Sequence, residues 1–547
     1  MIEKLVKNNF LNGKPTQSIV AAAFIISLAG VASRILGLFR DRILASTFGA
    51  GDVLDAYYAA FRVPDLIYNL LILGALSAAF IPVFTQLISK DREEEAWDLA
   101  SGVLNIQIIA MGIMVIILAF CAPWIMKIIT PGFSDEKMNL TVIFTRIMFL
   151  SPILLGISGI FGGVLVSMKK FLIYALAPIM YNLGIIFGAI FLVDFMGPIG
   201  LAWGVVLGAS LHMLIQYPAV RFSGFRFRLM PGKSLKNQDV LKVLHLMVPR
   251  MLGVAVNQIN FLVITIFAST LATGSLAIFN FANNIQSTPL GLFGISFAIA
   301  VFPALSAFYA KNEKEKFSKA FSKTFRQVLF FVIPISVLIY ALRAQIVRVV
   351  LGAGNFDWED TTLTFQTLGI LIASLFAQSL IPLLARSFYA IQNTKTPFYV
   401  ALFSEMVNIV LVFLLIGKFE ILGLAIAFSV SSIVNMSLLF YFLKKEMEDL
   451  GEKEIIKSAG KVLVASFGAV VAVQIGKNVV GSKGELDTFV AILNQLVVAG
   501  GLGVAVFSLI SYALGIEEFF SVMRSVSRKL FKVKKQIQED TGDVAGM

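Results

Sequence analysis

Apolar runs of the length a helix needs to cross a lipid bilayer, about 20 residues, recur along almost the whole 547-residue chain. Their approximate limits are 18–45, 55–88, 97–121, 141–167, 171–193, 199–220, 243–271, 275–310, 327–342, 363–391, 397–416, 421–443, 462–476 and 489–514. Only 14 % of residues are charged and 58 % are hydrophobic, where soluble domains carry ~25 % charge. So much apolar surface has no place in a water-soluble core. The expected fold is an all-α polytopic membrane protein of about 14 transmembrane helices.

The net charge of +12 would suit nucleic acid, yet its distribution argues for no nucleic-acid partner. With a cytoplasmic N-terminus, the segments facing the cytoplasm hold 31 of the 45 Lys and Arg and the outer segments hold 7. Cationic residues collect on the cytoplasmic side of such chains, so both termini are expected there, in a multi-pass membrane protein. One cysteine, Cys121, and two histidines, His212 and His245, leave little for a disulfide, a zinc site or imidazole chemistry. No phosphate-binding Gly-rich loop occurs. Neither an enzyme nor a bound cofactor or metal is expected.

Internal similarity suggests duplication. Ala45-Ser46-Thr47-Phe48 returns as Ala268-Ser269-Thr270-Leu271, and Lys169, Ala175 and Asn182 return as Lys395, Ala401 and Asn408, at offsets of 223 and 226. The organisation read from this is a six-helix bundle over 1–220, a basic linker over 221–242, a second bundle over 243–443, two further helices over 444–514 and a basic tail over 515–547. Two halves of six helices enter the membrane the same way round, so they are related by an axis along the membrane normal, with a cleft between them.

Charges inside the spans are the sharpest clue, because a central Arg or Asp costs at least ~2.5–3.5 kcal/mol to insert. The first span holds Arg34, Arg40, Asp41 and Arg42, with Gly37 available for a bend that would aim both Arg34 and Arg40 into one cavity. The second holds Asp55 and Arg62, seven apart and nearly on one helical face. Arginines in a water-filled cavity suit an anionic group such as phosphate; near an interface they serve structure instead. In the second half, Glu405 and Asn408 are candidates for ion or proton coupling, or for packing with a polar neighbour.

These residues also carry a resemblance. Ser33-Arg34, Gly37, Arg40-Asp41, Phe48-Gly-Ala-Gly51, Asp55-Ala56, Pro64 and the stretch from Gly74 through Ser77 and Phe80 to Pro82 resemble the MurJ/MviN family of lipid II flippases. Pro131-Gly132-Phe133, Ala177-Pro178 with Asn182, and Thr265-Ile266-Phe267-Ala268-Ser269 continue it. The resemblance implies a MOP-superfamily transporter that moves undecaprenyl-pyrophosphate-linked peptidoglycan precursor across the membrane by alternating access. It implies that Arg34, Arg40, Asp41, Asp55 and Arg62 serve the headgroup, and that the last two helices, over 444–514, form a groove for the lipid tail. Cell-wall synthesis proteins and membrane lipids are implied partners.

Two positions depart from the family. Its second-span arginine falls on Tyr68, and its eighth-span arginine on Asn284, after Asn283. Acidic sodium ligands known in some members would fall on Ile264 and Val412, leaving only Asn408, which argues against sodium at that site and leaves another ion or the membrane potential for coupling. The missing arginines keep two other expectations open: a flippase for a different undecaprenyl-linked glycan, and a non-transporting membrane scaffold for cell-wall enzymes.

Overall fold

In hydrocarbon every backbone N–H and C=O needs an internal partner, so an apolar chain of this kind resolves into helices. The computed structural model describes residues 19–70, 76–229, 231–234, 236–482 and 488–524; the expected tail beyond Arg524 and the first 18 residues lie outside these. Among the described residues there is no strand. Among the described residues nine helices are long and apolar enough to span a bilayer, or ten if a pair bent by 44° counts as one span. Their outward faces are hydrophobic: Ile116 and Phe120 are 71 % and 72 % exposed, as lipid-facing side chains should be.

The chain divides into two compact units. The first takes in the chain up to Phe281 with Val350–Leu363 and Val412–Leu424. It begins with α1 (Ile19–Phe48), unbroken through Gly37, followed by a second span in pieces: α2 (Asp52–Ala60), α3 (Arg62–Tyr68) and α4 (Leu76–Ser89). Next come α5 (Glu93–Ile129), α6 (Asp135–Met148), α7 (Leu150–Ser167), α8 (Phe171–Phe187), α9 (Ile199–Leu214) and α10 (Gln238–Ala268). Phe80 stacks on Phe84, which meets Trp97 edge-on, at the heart of this unit's apolar core. Gly184 of α8, and Gly188 in the π-helical turn that follows it, face Gly208 and Gly204 of α9 so closely that a methyl at Gly184 would overlap the Gly208 backbone. The small-residue spacing visible in the sequence is thus a helix contact.

The second unit holds Ala282–Val349, Thr364–Leu411 and the chain from Ala425. The helix α11 (Ser275–Pro289) enters it partway along, and widens into a π-helical turn at Leu290–Ile295 before α12 (Ser296–Ala310). The remainder are α13 (Lys314–Val350), α14 (Trp358–Ala373), α15 (Leu375–Ala390), α16 (Lys395–Met447), α17 (Glu452–Gly481) and α18 (Phe489–Ala513). The 53-residue α16 is broken at Glu420, whose φ of 47° and ψ of −125° are non-helical. α17 and α18 pair through Gly476 against Ala499, and with α13 they bury Phe330, Val462, Ala465, Ala469 and Phe507.

Candidate functional site

In the first unit the break at Phe61 between α2 and α3 puts Arg62 at the first position of α3. Its Nε donates to Thr265 Oγ1 at 2.6 Å and its Nη2 to Asn280 Oδ1 at 3.0 Å, while the guanidinium lies 5.5 Å from the Phe261 ring centre. The Thr265 hydroxyl and the Asn280 amide in turn donate to the carbonyls of Phe261 and Leu276. Its direct hydrogen-bond partners are thus neutral groups.

Arg40 is held differently. Its Nε and Nη2 both donate to Asp41 Oδ1, at 3.0 and 2.7 Å, and its Nη1 donates to Asn182 Oδ1 at 3.2 Å. The Asn182 amide donates to the carbonyl of Pro178, at 3.1 Å, and to Ser33 Oγ at 3.3 Å. Ser33 and Arg40 are seven residues apart, hence on one face of α1, and Asn182 bridges them. Gly37 lies between: a Cβ there would sit 3.9 Å from Asn182 Oδ1. That is ordinary van der Waals contact, so space does not demand a glycine here, and α1 runs on through it without a break. Arg34, earlier on α1, is half-buried.

Asp55 is 2 % exposed, and its oxygens are taken up within the protein: Lys137 Nζ at 2.7 Å, Gly274 N at 2.8 Å and Ala277 N at 2.9 Å. The last two open α11, so the carboxylate satisfies donors that a helix start leaves unpaired and meets the positive end of its dipole. Lys137 also bridges to Asp52 at 2.8 Å and lies over the Phe133 ring. The hydrogen bond from Lys137 holds the Asp52 carboxyl below the usual carboxylate range. Gly274, at φ +88°, could not be replaced without striking Ala50. This is a clamp joining α2, α6 and α11.

Three participants were not singled out from the sequence. Lys137, Asn280 and Asp65 lie at the clamp and beside the arginines; Asp65 stands within electrostatic reach of both Arg62 and Arg40. It shares a small cleft with Phe61, Tyr68 and Ser151. An acidic residue directly after Pro64 in an apolar run was a readable signal for Asp65. For Lys137 and Asn280 no local signal exists.

The other unit is described by itself. Asn284 is half-buried on α11. Its neighbourhood in sequence is polar but uncharged: Gln286 Nε2 donates to Asn283 Oδ1, and Gln378 Nε2 to Ser374 Oγ at 2.9 Å and to Gln286 Oε1 at 3.4 Å. On α16, Asn408 is fully buried and donates to Glu405 Oε1 at 3.3 Å, with its own Oδ1 buried and without a hydrogen-bond partner among the described residues. Among those residues, no three His, Cys, Asp or Glu side chains gather as a metal site would require.

Known proteins share both the sequence and the architecture. The family model described as Lipid II flippase MurJ matches residues 44–493. A Bdellovibrio bacteriovorus protein named probable lipid II flippase MurJ is 30 % identical over 524 residues, covering 93 % of this chain and 97 % of the relative. One from Rhizobium tropici with the same name is 28 % identical, covering 94 % and 97 %. A solved lipid II flippase MurJ in an inward closed conformation superposes with a TM-score of 0.72 at 26 % identity, over 90 % of this chain and 99 % of that one. An inward-facing MATE transporter of the MOP superfamily shares the fold, with a TM-score of 0.65 at 16 % identity over 77 % and 96 %. With most of its length inside the family model and a relative 30 % identical over nearly its whole length, the chain belongs to the MurJ family of lipid II flippases.

Proposed function

We propose that the protein carries lipid II across the bacterial cytoplasmic membrane by alternating access, with Arg62 as the principal contact for the pyrophosphate. The observation that carries this reading is the state of Arg62: a part-buried guanidinium, in an apolar run that the sequence reads as a span, oriented by Thr265 and Asn280. A permanent charge in that setting is costly, and an arriving pyrophosphate compensates it with short, paired hydrogen bonds. Arg34 and Arg40 extend the cationic surface, and Arg40 can exchange Asp41 for the substrate. Asp55 acts through the clamp that positions α11, and Tyr68 and Asn284 supply hydrogen bonds in place of charge.

The termini face the cytoplasm in this reading, following the charge distribution. Coupling falls to the buried Glu405 and Asn408 pair, or to the membrane potential, which is worth ~2.3 kcal/mol per charge per 100 mV. The deciding experiment is lipid II translocation in vesicles, wild type against Arg62→Ala. Transport by wild type that collapses in the variant supports the reading. A wild-type protein that leaves lipid II untouched, yet moves another undecaprenyl-linked glycan, would replace it.

A further inference from the structure

The second unit contains an apolar groove of about 560 Å³ between α13, α14, α15, α16 and α17, a volume in the range of ligand sites. On α13 the lining residues are Leu329, Ile333, Ser336 and Tyr340, stepping by four, three and four residues. The next step of three reaches Arg343. On α17 the lining residues include Leu463 and Val470, and seven residues on, along the same face, stands Lys477. Each wall of the groove therefore ends in a cation.

The tertiary structure brings these two cations together. Arg343 lies over the Tyr340 ring, with its Cζ 4.4 Å from the centre, and over Phe365 at 5.7 Å. Its Nη1 donates to Tyr340 O at 2.7 Å, and Lys477 Nζ donates to Ala341 O, one residue on, at 3.2 Å. The two charges are close enough to repel one another. Among the described residues neither meets a carboxylate. At the other end of α13, beside groove residue Phe325, Arg326 is neutralised by Glu517 at 3.0 Å and Glu518 at 2.9 Å.

The charge distribution puts the Arg343 end outside, where only 7 of the 45 basic residues lie. Two of those seven, set side by side with no acid in contact among the described residues, mark a place that suits an anion. We infer that Arg343 and Lys477 form an outer anion subsite at the mouth of the groove, which takes the pyrophosphate of a polyprenyl lipid whose tail lies in the groove. This rests on the flippase reading above. Two adjacent cations match the multiple charge of a pyrophosphate better than the single charge of a phosphodiester lipid, and the forked Arg343 donors suit paired phosphate oxygens. The subsite would hold the delivered headgroup outside the central site and oppose its return.

The test uses the full chain in phosphatidylcholine nanodiscs, with undecaprenyl pyrophosphate bearing a photoreactive group on its tail, and adducts mapped by peptide mass spectrometry. Adducts are expected on the Leu329–Tyr340 face of α13 and on α17. In the Arg343→Gln/Lys477→Gln protein they should fall about tenfold, as loss of two charge-assisted contacts implies, while adducts near Arg62 persist. Arg343→Lys should recover part of the loss, and a thermal melt equal to wild type verifies the fold. Groove adducts unchanged in the double variant overturn the proposal. So does competition by phosphatidylglycerol as effective as that by unlabelled undecaprenyl pyrophosphate, which makes the mouth a general anionic-lipid site. Absence of adducts both in the groove and near Arg62 removes the flippase reading, and this subsite with it.

Discussion

Arg40 and Arg62 are both arginines of one unit, set in apolar runs that the sequence reads as spans, yet their surroundings differ. Arg40 is bound by its neighbour Asp41, which is 3 % exposed, and by Asn182. Arg62 is bound by a hydroxyl and an amide. A buried ion pair holds its partners mutually dependent, because removing one strands the other's charge. Neutral partners impose no such dependence. Arg40 is therefore tied to the stability of the α1–α8 contact, and Arg62 is the more available to a ligand.

That contrast can be broken by mutation. Arg40→Ala removes the cation paired with the buried Asp41, and thermal or denaturant unfolding in detergent should register about 3 kcal/mol of destabilisation. Adding Asp41→Asn should restore most of it; a double variant as unstable as the single one would remove the ion pair from the explanation. Arg62→Ala should leave unfolding nearly unchanged, since Thr265 and Asn280 keep bonds to the carbonyls of Phe261 and Leu276. Its effect should fall on lipid II translocation in vesicles, lowered about 100-fold by the loss of charge-assisted contacts to the pyrophosphate.

Smaller effects sharpen the same comparison. Asp65 opposes the charge of both arginines, so Asp65→Asn should tighten binding of a pyrophosphate lipid by about threefold to tenfold, a difference of ~1 kcal/mol. Weaker binding in a titration would show that Asp65 instead orients the arginines. The least effect belongs to Asp52 at the clamp. Its folded pKa is depressed by the hydrogen bond from Lys137, so its contribution is present above the ordinary carboxylate pKa, about 4, and is lost as pH falls through the lower folded value. A small acid-side loss of thermal stability should appear in wild type and be absent in Asp52→Asn.

Much of the fold could be read directly. The apolar run at 97–121 is the middle of α5, and 489–514 is α18 almost residue for residue. The loop expected at 417–420 is where the long α16 breaks, at Glu420. The break inside the second span, before Arg62, was harder to see, because an apolar run looks alike whether or not its helix is interrupted. The candidate residues were legible as charges out of place, but their roles were not. Asp55 has the sequence profile of a ligand contact, and it closes a clamp with Lys137, 82 residues away. Arg62 depends on Thr265 and Asn280, at separations of 203 and 218 residues.

The sequence by itself determined that this chain is a bundle of membrane helices with a small set of charges inside. Helical hydrogen bonds close within four residues, and exclusion of charge from lipid acts on each segment alone. Which of those charges are spent within the protein and which are left for a substrate was decided only in the tertiary structure. Charge pairing is a property of side chains from distant segments brought within about 3 Å, and no local pattern records it. The same holds for Arg343 and Lys477: each is a lone basic residue at the end of its span, and only the packing of α13 against α17 makes them a pair.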